Sequence, residues 1–166
     1  NGQTSGRWYH AAVTDTAGNV IVTGGELPGN VFLASTVKCT YNSATKSCVW
    51  STLADMKYPR RTHVLVRLAD GRILAAGGKA TGDPMVGTQS GARVCEIYDP
   101  ATNTWTETGK LNQGRAYPEA VLLPDNNVLV MGGYDATTIN SAEIYDVNTG
   151  TWTLLASTMS APRYVF

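Results

Sequence analysis

A threefold internal repeat constrains the fold of this chain more than any other feature of its sequence. A glycine pair closes an apolar run three times, and the three pairs lie 53 and 55 residues apart. An arginine stands 17 residues before each pair, and a tyrosine and then a tryptophan come after it. Landmarks in one fixed order at one period are the signature of stacked structural repeats. The landmarks are Arg7, Arg60 and Arg115; Gly24, Gly25, Gly77, Gly78, Gly132 and Gly133; Tyr41, Tyr98 and Tyr145; and Trp50, Trp105 and Trp152.

The repeat divides the chain into three units and the start of a fourth. We place the units at residues 7–59, 60–114 and 115–162, and residues 163–166 open the fourth. Each unit reads as four short strands, because apolar runs alternate with turn sequences such as Asp70-Gly71. No stretch has the sustained 3.6-residue period of an amphipathic helix. The sequence therefore predicts an all-β chain.

The composition and the motifs exclude several classes of function. The 13 basic and 13 acidic residues cancel, so there is no electrostatic case for nucleic acid as a partner. No run of 18 apolar residues occurs, and we expect no membrane-spanning segment. A zinc-protease motif, a CxxC pair and a phosphate-binding loop are also missing from the sequence. We therefore predict that the chain is not an enzyme and uses no metal or cofactor.

The second and third units resemble the kelch repeat. The residues that carry the resemblance are RILAAGG and CEIYDPATNTW in the second unit, and NVLVMGG and AEIYDVNTGTW in the third. The resemblance covers nearly the whole chain, from about Arg7 to Met159. It implies that each unit is a four-stranded antiparallel blade of a β-propeller. Closed propellers usually have four to eight blades, so residues 1–166 are expected to form a partial propeller.

The large side chains of the repeat are expected to be structural. A single blade cannot bury either of its apolar faces, and stacking against neighbouring blades does so. The repeated tyrosines and tryptophans fill the space between sheets, and the glycines allow close approach of the chains. The repeated arginines are expected to tie down loops or carbonyl groups between blades.

A three-blade chain leaves two sheet faces open. Exposed apolar faces and unpaired strand edges favour association. The ring is therefore completed either by further blades in a longer chain or by another copy of this chain, for instance as two copies with six blades. A homo-oligomer and a segment of a larger protein both remain open at this point.

The links between units are the candidate binding surface. Links from the fourth strand of one unit to the first strand of the next converge on one face in propellers, and here they carry arginine and tyrosine at matching positions. The composition suits a protein or a glycan as partner. The segment between the second and third strands of the middle unit is the longest of its kind, and recognition by such variable loops is an alternative. The candidate binding residues are Tyr58, Arg60, Arg61, Arg115 and Tyr117.

Two of the three cysteines flank the turn of the first unit's outer hairpin. A strand register exists in which Cys39 and Cys48 face each other, so a disulfide can close this loop. The first unit also has two more residues than the others between its tyrosine and its tryptophan. A disulfide implies an oxidising compartment, and we therefore expect an extracellular or secreted protein. Cys95 lies in an apolar strand and is interpreted as a buried free thiol.

The two histidines occupy one repeat position, His10 in the first unit and His63 in the second. The interpretation we favour is a strand-end histidine that is hydrogen-bonded to a neighbour. Tyr9-His10 also resembles the Tyr-His pair of copper-radical oxidases of the galactose and glyoxal oxidase kind, which are kelch-like propellers. The sequence thus predicts a non-catalytic kelch module for protein or glycan binding or for self-assembly. A segment of a copper-radical oxidase is the alternative, and an intracellular kelch adaptor is a third possibility.

Overall fold

A computed structural model of the chain describes residues 6–81 and 91–164. All regular elements in these two ranges are β-strands, which confirms the all-β prediction. They contain no helix that is long and apolar enough to span a membrane. Most of the long segment between the second and third strands of the middle unit lies outside the described residues, as do residues 165–166, so the prediction that this loop takes part in recognition stays a prediction.

Each unit contributes four main strands, and two-residue strands lie between them. Unit 1 contains β1 (Ala11–Thr14), β2 (Val20–Thr23), β3 (Glu26–Leu27), β4 (Val31–Phe32), β5 (Thr36–Asn42) and β6 (Ser47–Thr52). Unit 2 contains β7 (Arg60–Arg61), β8 (Val64–Arg67), β9 (Ile73–Ala76), β10 (Lys79–Ala80), β11 (Cys95–Asp99) and β12 (Thr104–Glu107). Unit 3 contains β13 (Glu119–Leu122), β14 (Val128–Met131), β15 (Tyr134–Asp135), β16 (Thr137–Thr138), β17 (Ala142–Asp146) and β18 (Thr151–Leu154).

The main strands form three antiparallel four-stranded sheets, one from each unit. The strand orders are β1-β2-β5-β6, β8-β9-β11-β12 and β13-β14-β17-β18. In every sheet the strands follow chain order, since each one pairs with the next main strand along the sequence. The first strands β1, β8 and β13 lie next to one another. Three such blades set side by side form the partial propeller that the sequence predicts.

The second strands and the tyrosines form the apolar layers between blades. Ile21 of unit 1 packs with Ile73 and Tyr98 of unit 2, and all three side chains are buried. A larger cluster joins units 2 and 3 and contains Tyr145 and Trp152. The aromatic plates of units 2 and 3 therefore pack on the blade that precedes them, which is the role expected of these residues.

One of the repeated tyrosines does not occupy the repeat position that the sequence assigns to it. Tyr98 lies directly opposite Trp105 in the register of β11 and β12, and unit 3 has the same pairing. In unit 1 the residue opposite Trp50 is Cys39, whereas Tyr41 lies two residues further along β5. Tyr41 is half-exposed as a result. The assignment of Tyr41 to the buried tyrosine position was wrong.

The repeated arginines act within a blade, which corrects the expectation that they join blades. The Arg60 guanidinium donates to the carbonyl oxygens of Gly77 and Val94 at 3.2 and 2.8 Å, and to Glu96 Oε2 at 2.6 Å. Both charged side chains of this ion pair are fully buried. Arg115 and Glu143 form the same buried pair in unit 3. Each pair closes its own blade where the second strand ends and the third strand begins.

The main chain of each arginine makes the joint between blades. The amide of Gly25 donates to the carbonyl oxygen of Arg60 at 2.8 Å, and the amide of Gly78 donates to that of Arg115 at 2.7 Å. A Cβ on Gly77, whose φ is +65°, would lie only 2.6 Å from the Arg115 carbonyl oxygen. The glycine pair is needed because the chains approach too closely for a side chain and because the backbone is left-handed.

Candidate functional site

The links between units and the segments after the second strands meet at one end of the three sheets. Short antiparallel bridges join the two kinds of segment within each unit. Trp8 pairs with Glu26 in unit 1, β7 pairs with β10 in unit 2, and Ala116 pairs with Tyr134 in unit 3. These bridges bring side chains from distant parts of the sequence onto one surface.

Only two of the five predicted binding residues face this surface. Arg60 and Arg115 are fully buried in their ion pairs and are not accessible to a partner. Tyr58 is also buried: it packs in an apolar cluster, and its hydroxyl donates to Glu107 Oε2 at 3.2 Å. Arg61 and Tyr117 remain as members of the surface.

Aromatic rings from unit 1, unit 3 and the start of the fourth unit form one group at this end, and two of them, Tyr9 and Phe32, flank Arg61 of unit 2. The Tyr117 ring centre lies 6.2 Å from that of Tyr9 and 6.3 Å from that of Tyr164, and the ring planes are inclined by 88° and 53°. The ring centres of Tyr164 and Tyr134 are 5.9 Å apart. We call this surface the aromatic end face, and it consists of Trp8, Tyr9, Glu26, Phe32, Arg61, Tyr117, Tyr134 and Tyr164.

The charge of Arg61 is balanced within the aromatic end face. Its guanidinium forms an ion pair with Glu26, whose side chain is almost fully buried. Trp8 Nε1 donates to the same carboxylate at 3.1 Å. The Arg61 guanidinium also lies 4.8 Å from the Phe32 ring centre and 5.4 Å from that of Tyr9, which is cation–π distance. The charge of Arg61 is therefore paired within a largely aromatic surface, and Lys79 stands opposite Arg61 in the β7–β10 pairing as a further basic residue.

Left-handed backbone conformations position the rings. Tyr9, Thr62 and Tyr117 stand two residues after the repeated arginines, and their φ angles are +59°, +57° and +53°. The amide of Thr62 donates to the carbonyl oxygen of Tyr9, and the amide of Tyr117 donates to that of Thr62. A non-glycine residue at positive φ is costly and is retained only where the surroundings enforce it. Here the chain of inter-blade hydrogen bonds enforces it.

The outermost rings are available to a partner. Trp8 is 45% exposed, Tyr9 is 48% exposed, and Val31 beside them in β4 is 51% exposed. The phenol groups deeper in the face are less accessible, and burial raises the pKa of Tyr117, with a further contribution from Tyr9. Unit 1 therefore contributes the accessible part of the face, and unit 3 contributes the rings that support it.

Sequence reasoning missed six of the eight residues of the aromatic end face, although the repeat contains a signal for part of it. Tyr9 and Tyr117 share one position, two residues after an arginine, so aligning the links would have paired them. Trp8, Arg61 and Tyr164 likewise share the position directly after the arginine. Glu26 and Phe32 have no repeat signal, because they lie in the variable segment between the second and third strands.

A cleft of about 520 Å³ on the open side of unit 3 is a seat for another blade. Its lining includes Met131, Gly132 and Met159. The equivalent seat in unit 1 holds the His63 ring, whose Cε1 would lie 2.7 Å from a Cβ on Gly24. The repeat itself therefore explains this cleft as a packing site for another blade, without a separate ligand.

His63 and Cys95 occupy buried structural positions, whereas His10 is exposed. His63 is buried, and its Nε2 lies 2.7 Å from Thr23 Oγ1 of the preceding blade. Burial, followed by the charges of Arg60 and His10, holds the pKa of His63 well below its usual range. Burial raises the pKa of the Cys95 thiol to about 12. Within residues 6–81 and 91–164, no group of three or more His, Cys, Asp and Glu side chains is arranged to hold a metal ion. The oxidase alternative stays a prediction that nothing here tests.

The three sheets, the aromatic plates between them and the joints at the glycine pairs define a segment of a β-propeller. A solved structure of the same architecture is that of YjhT, which matches 97% of this chain with a TM-score of 0.75. The sequence identity is 15%, so this likeness concerns the fold alone. The chain covers 54% of the YjhT chain.

Sequence comparisons identify the kind of propeller. The Kelch motif family matches residues 120–159. The chain is 30% identical to Kelch-like protein terF of Aspergillus terreus over 98% of its own length and 36% of that protein. It is 31% identical to an F-box/kelch-repeat protein of Arabidopsis thaliana over 69% of its length and 30% of that protein. The chain belongs to the kelch-repeat β-propeller proteins, and it spans about a third of the length of these relatives.

Proposed function

We propose that this chain is a protein-binding module and that the aromatic end face is its contact surface. The observation that carries the proposal is the pair of half-exposed rings, Trp8 and Tyr9, set beside an arginine that is already held between two aromatic rings. Trp, Tyr and Arg are the residues most enriched at the energetic centres of protein interfaces. An arginine fixed before binding loses less side-chain entropy on association.

A protein fits this surface better than a glycan does. The neighbouring rings are inclined to one another by 53–88°, so they form slots between rings, and a sugar ring would need a flat platform. Apolar side chains of a protein can enter such slots, and the exposed Val31 extends the apolar area. Glycan binding is therefore the weaker of the two partner classes that the sequence predicts.

A displayed peptide library and a glycan array, screened with the purified chain, test the proposal. We expect peptide ligands whose affinity falls at least tenfold in W8A and Y9A. The matched control is Asn148→Ala, because Asn148 is exposed in an outer hairpin turn away from the aromatic end face. Ligands found on the glycan array alone, or peptides that bind W8A and Y9A as well as the unchanged chain, would overturn the proposal.

We also propose that the protein is secreted and that further kelch blades complete the ring. The Cys39–Cys48 disulfide supports an oxidising compartment. The Arg163 carbonyl oxygen already accepts from the amide of Gly133 at 2.8 Å, which is the joint that Arg60 and Arg115 make with their preceding blades. A second copy would need this same position for its own Arg7. Arg163 of this chain therefore occupies the joint that a second copy would need for self-assembly. Further blades in the same chain would leave this joint in place.

A further inference from the structure

The outer hairpin of unit 1 carries a disulfide at the position where units 2 and 3 carry a tyrosine. Cys39 lies opposite Trp50 in the same register as Tyr98 opposite Trp105. Its bonded partner Cys48 stands two residues before the tryptophan, and the Cα atoms of the two cysteines are 5.4 Å apart. Both ends of the disulfide therefore have counterparts in unit 2.

The counterpart in unit 2 is a hydrogen bond. The Tyr98 hydroxyl donates to Asn103 Oδ1 at 2.9 Å, and Asn103 stands two residues before its tryptophan. Asn103 Oδ1 also accepts from the amide of Ala54 in the preceding blade at 3.0 Å. The outer hairpin of unit 2 is therefore closed by contacts that depend partly on its neighbour.

The two strands of the outer hairpin of unit 1 are linked without contacts from a preceding blade among the described residues. Cys39 is 3% exposed and Tyr98 is 2% exposed, but Tyr98 obtains this burial by packing on Ile21 of the preceding blade. The strands that flank the disulfide are otherwise open to solvent, since residues 40–52 of the hairpin are all exposed. The covalent bond is thus the principal long-lived contact that holds this hairpin together beyond its ladder of main-chain hydrogen bonds.

We propose that the Cys39–Cys48 disulfide is a reducible latch that controls the order of this hairpin and of Trp50. Cys48 is exposed and open to attack. A thiolate of a dithiol reductant attacks Cys48 Sγ, the S–S bond breaks, and Cys39 leaves as a thiolate that takes up a proton. The second thiol of the reductant then attacks the mixed disulfide and releases Cys48 as a thiol. The reductant becomes a disulfide, and two electrons pass to the protein.

The third cysteine does not interfere with the latch. Cys95 is 1% exposed and burial raises its pKa to about 12, so at neutral pH it is neither reachable nor a thiolate. Thiol exchange is therefore confined to the pair in unit 1.

Hydrogen exchange followed by mass spectrometry tests the latch, with the equivalent hairpin of unit 2 as an internal reference. The purified chain is compared before and after treatment with dithiothreitol, and intact mass confirms that two hydrogens have been gained. We expect exchange in residues 40–49 to accelerate at least tenfold on reduction. Exchange in residues 95–107 should remain unchanged, because that hairpin contains no disulfide.

A second variant distinguishes the loss of the disulfide from a general destabilisation of the chain. Cys39→Tyr combined with Cys48→Asn restores the residue pair of unit 2, and its hairpin should be insensitive to dithiothreitol. C39A/C48A should behave like the reduced chain under all conditions. Unchanged exchange in a chain that mass shows to be reduced would overturn the proposal, and so would equal acceleration in both hairpins. Neither result bears on the aromatic end face.

Discussion

At the scale of single residues, the buried Arg–Glu pairs are the most consequential contacts in the chain. Glu143 accepts from the Arg115 side chain and also from the amides of Asn112 and Gln113, at 2.7 and 3.0 Å. One carboxylate therefore fixes both the arginine and the link that precedes it. Burial lowers the pKa of Arg115, and the charge of Glu143 opposes that change. Neither partner is stable in the blade without the other.

Removing one partner of such a pair should be far more costly than removing an exposed carboxylate. Glu143→Ala leaves the Arg115 charge buried and unpaired, and we expect it to lower the free energy of unfolding by about 3–5 kcal/mol. Glu119 is exposed in β13, and Glu119→Ala should change the value by less than about 0.5 kcal/mol. Urea unfolding measures both. Similar losses for the two variants would show that the pair does not stabilise the blade.

The buried histidine predicts a sensitivity to acid. Because the pKa of His63 is well below its ordinary value of 6.5 in the folded chain, the unfolded chain binds protons more readily near and below that value. Its contribution to the free energy of unfolding is therefore complete above about pH 7 and is lost as the pH falls below 6.5. His63→Gln should reduce the loss of stability between pH 7.5 and pH 5. Asn148→Ala, an exposed substitution that removes no titratable group, is the control and should leave the loss unchanged.

At the scale of elements, the aromatic plates transmit packing from one blade to the next. Trp152 is buried, its ring centre lies 5.0 Å from that of Tyr145, and its Nε1 donates to the Gly109 carbonyl oxygen of unit 2 at 3.0 Å. Trp105 makes the equivalent bond to Ala54 of unit 1. The plates of units 2 and 3 therefore stabilise the blade before them as well as their own.

Equivalent tryptophans should differ in their contribution to stability according to their neighbours. Trp152→Ala leaves a large cavity between units 2 and 3, and we expect a loss of about 3–5 kcal/mol. Trp50 is half-exposed, so Trp50→Ala should cost less than about half of that. Thermal or urea unfolding of the two variants measures the loss of stability that each substitution causes. An equal loss would mean that Trp50 has a partner that the present arrangement of blades does not supply.

The repeat predicted the strands and the blades because each depends on local alternation of apolar runs and turns. Contacts between distant strands were less predictable. Arg60 and Arg61 are adjacent, yet one is buried against Glu96 and the other lies among aromatic rings, because neighbouring residues of an extended chain point to opposite sides. Residue counting also misplaced Tyr41, since the longer hairpin of unit 1 moves its tyrosine two positions along the strand while keeping it on the same face. The disulfide prediction agrees with the structure, although the two cysteines stand diagonally across the strands and not directly opposite.

At the scale of the whole molecule, the two open sides are unequal. The open side of unit 3 already holds Arg163 in the joint at Gly133, whereas the open side of unit 1 presents Trp50 and the exposed His10. A head-to-tail ring of identical chains would bring a second arginine to a joint that is filled. The asymmetry therefore disfavours a homo-oligomer of this chain.

Light scattering coupled to size-exclusion chromatography measures the mass of the particle and so shows whether copies of the chain associate. We expect a particle of the monomer mass, 17.7 kDa, at micromolar concentration. W50A should elute with the same mass, because we expect no association of copies through the open sides. A stable particle of two chains that dissociates in W50A would instead establish self-assembly through the open sides.

The joint between blades has a consequence for how such chains change in size. It is made by a main-chain carbonyl of one unit and a main-chain amide of a glycine in the unit before it, at Gly25, Gly78 and Gly133 alike. A duplicated gene segment of this length therefore carries its own connector and its own receiving site, whatever its surface side chains are. Gain or loss of whole units requires no new interface, and the lineage can vary its number of blades while the recognition surface evolves separately.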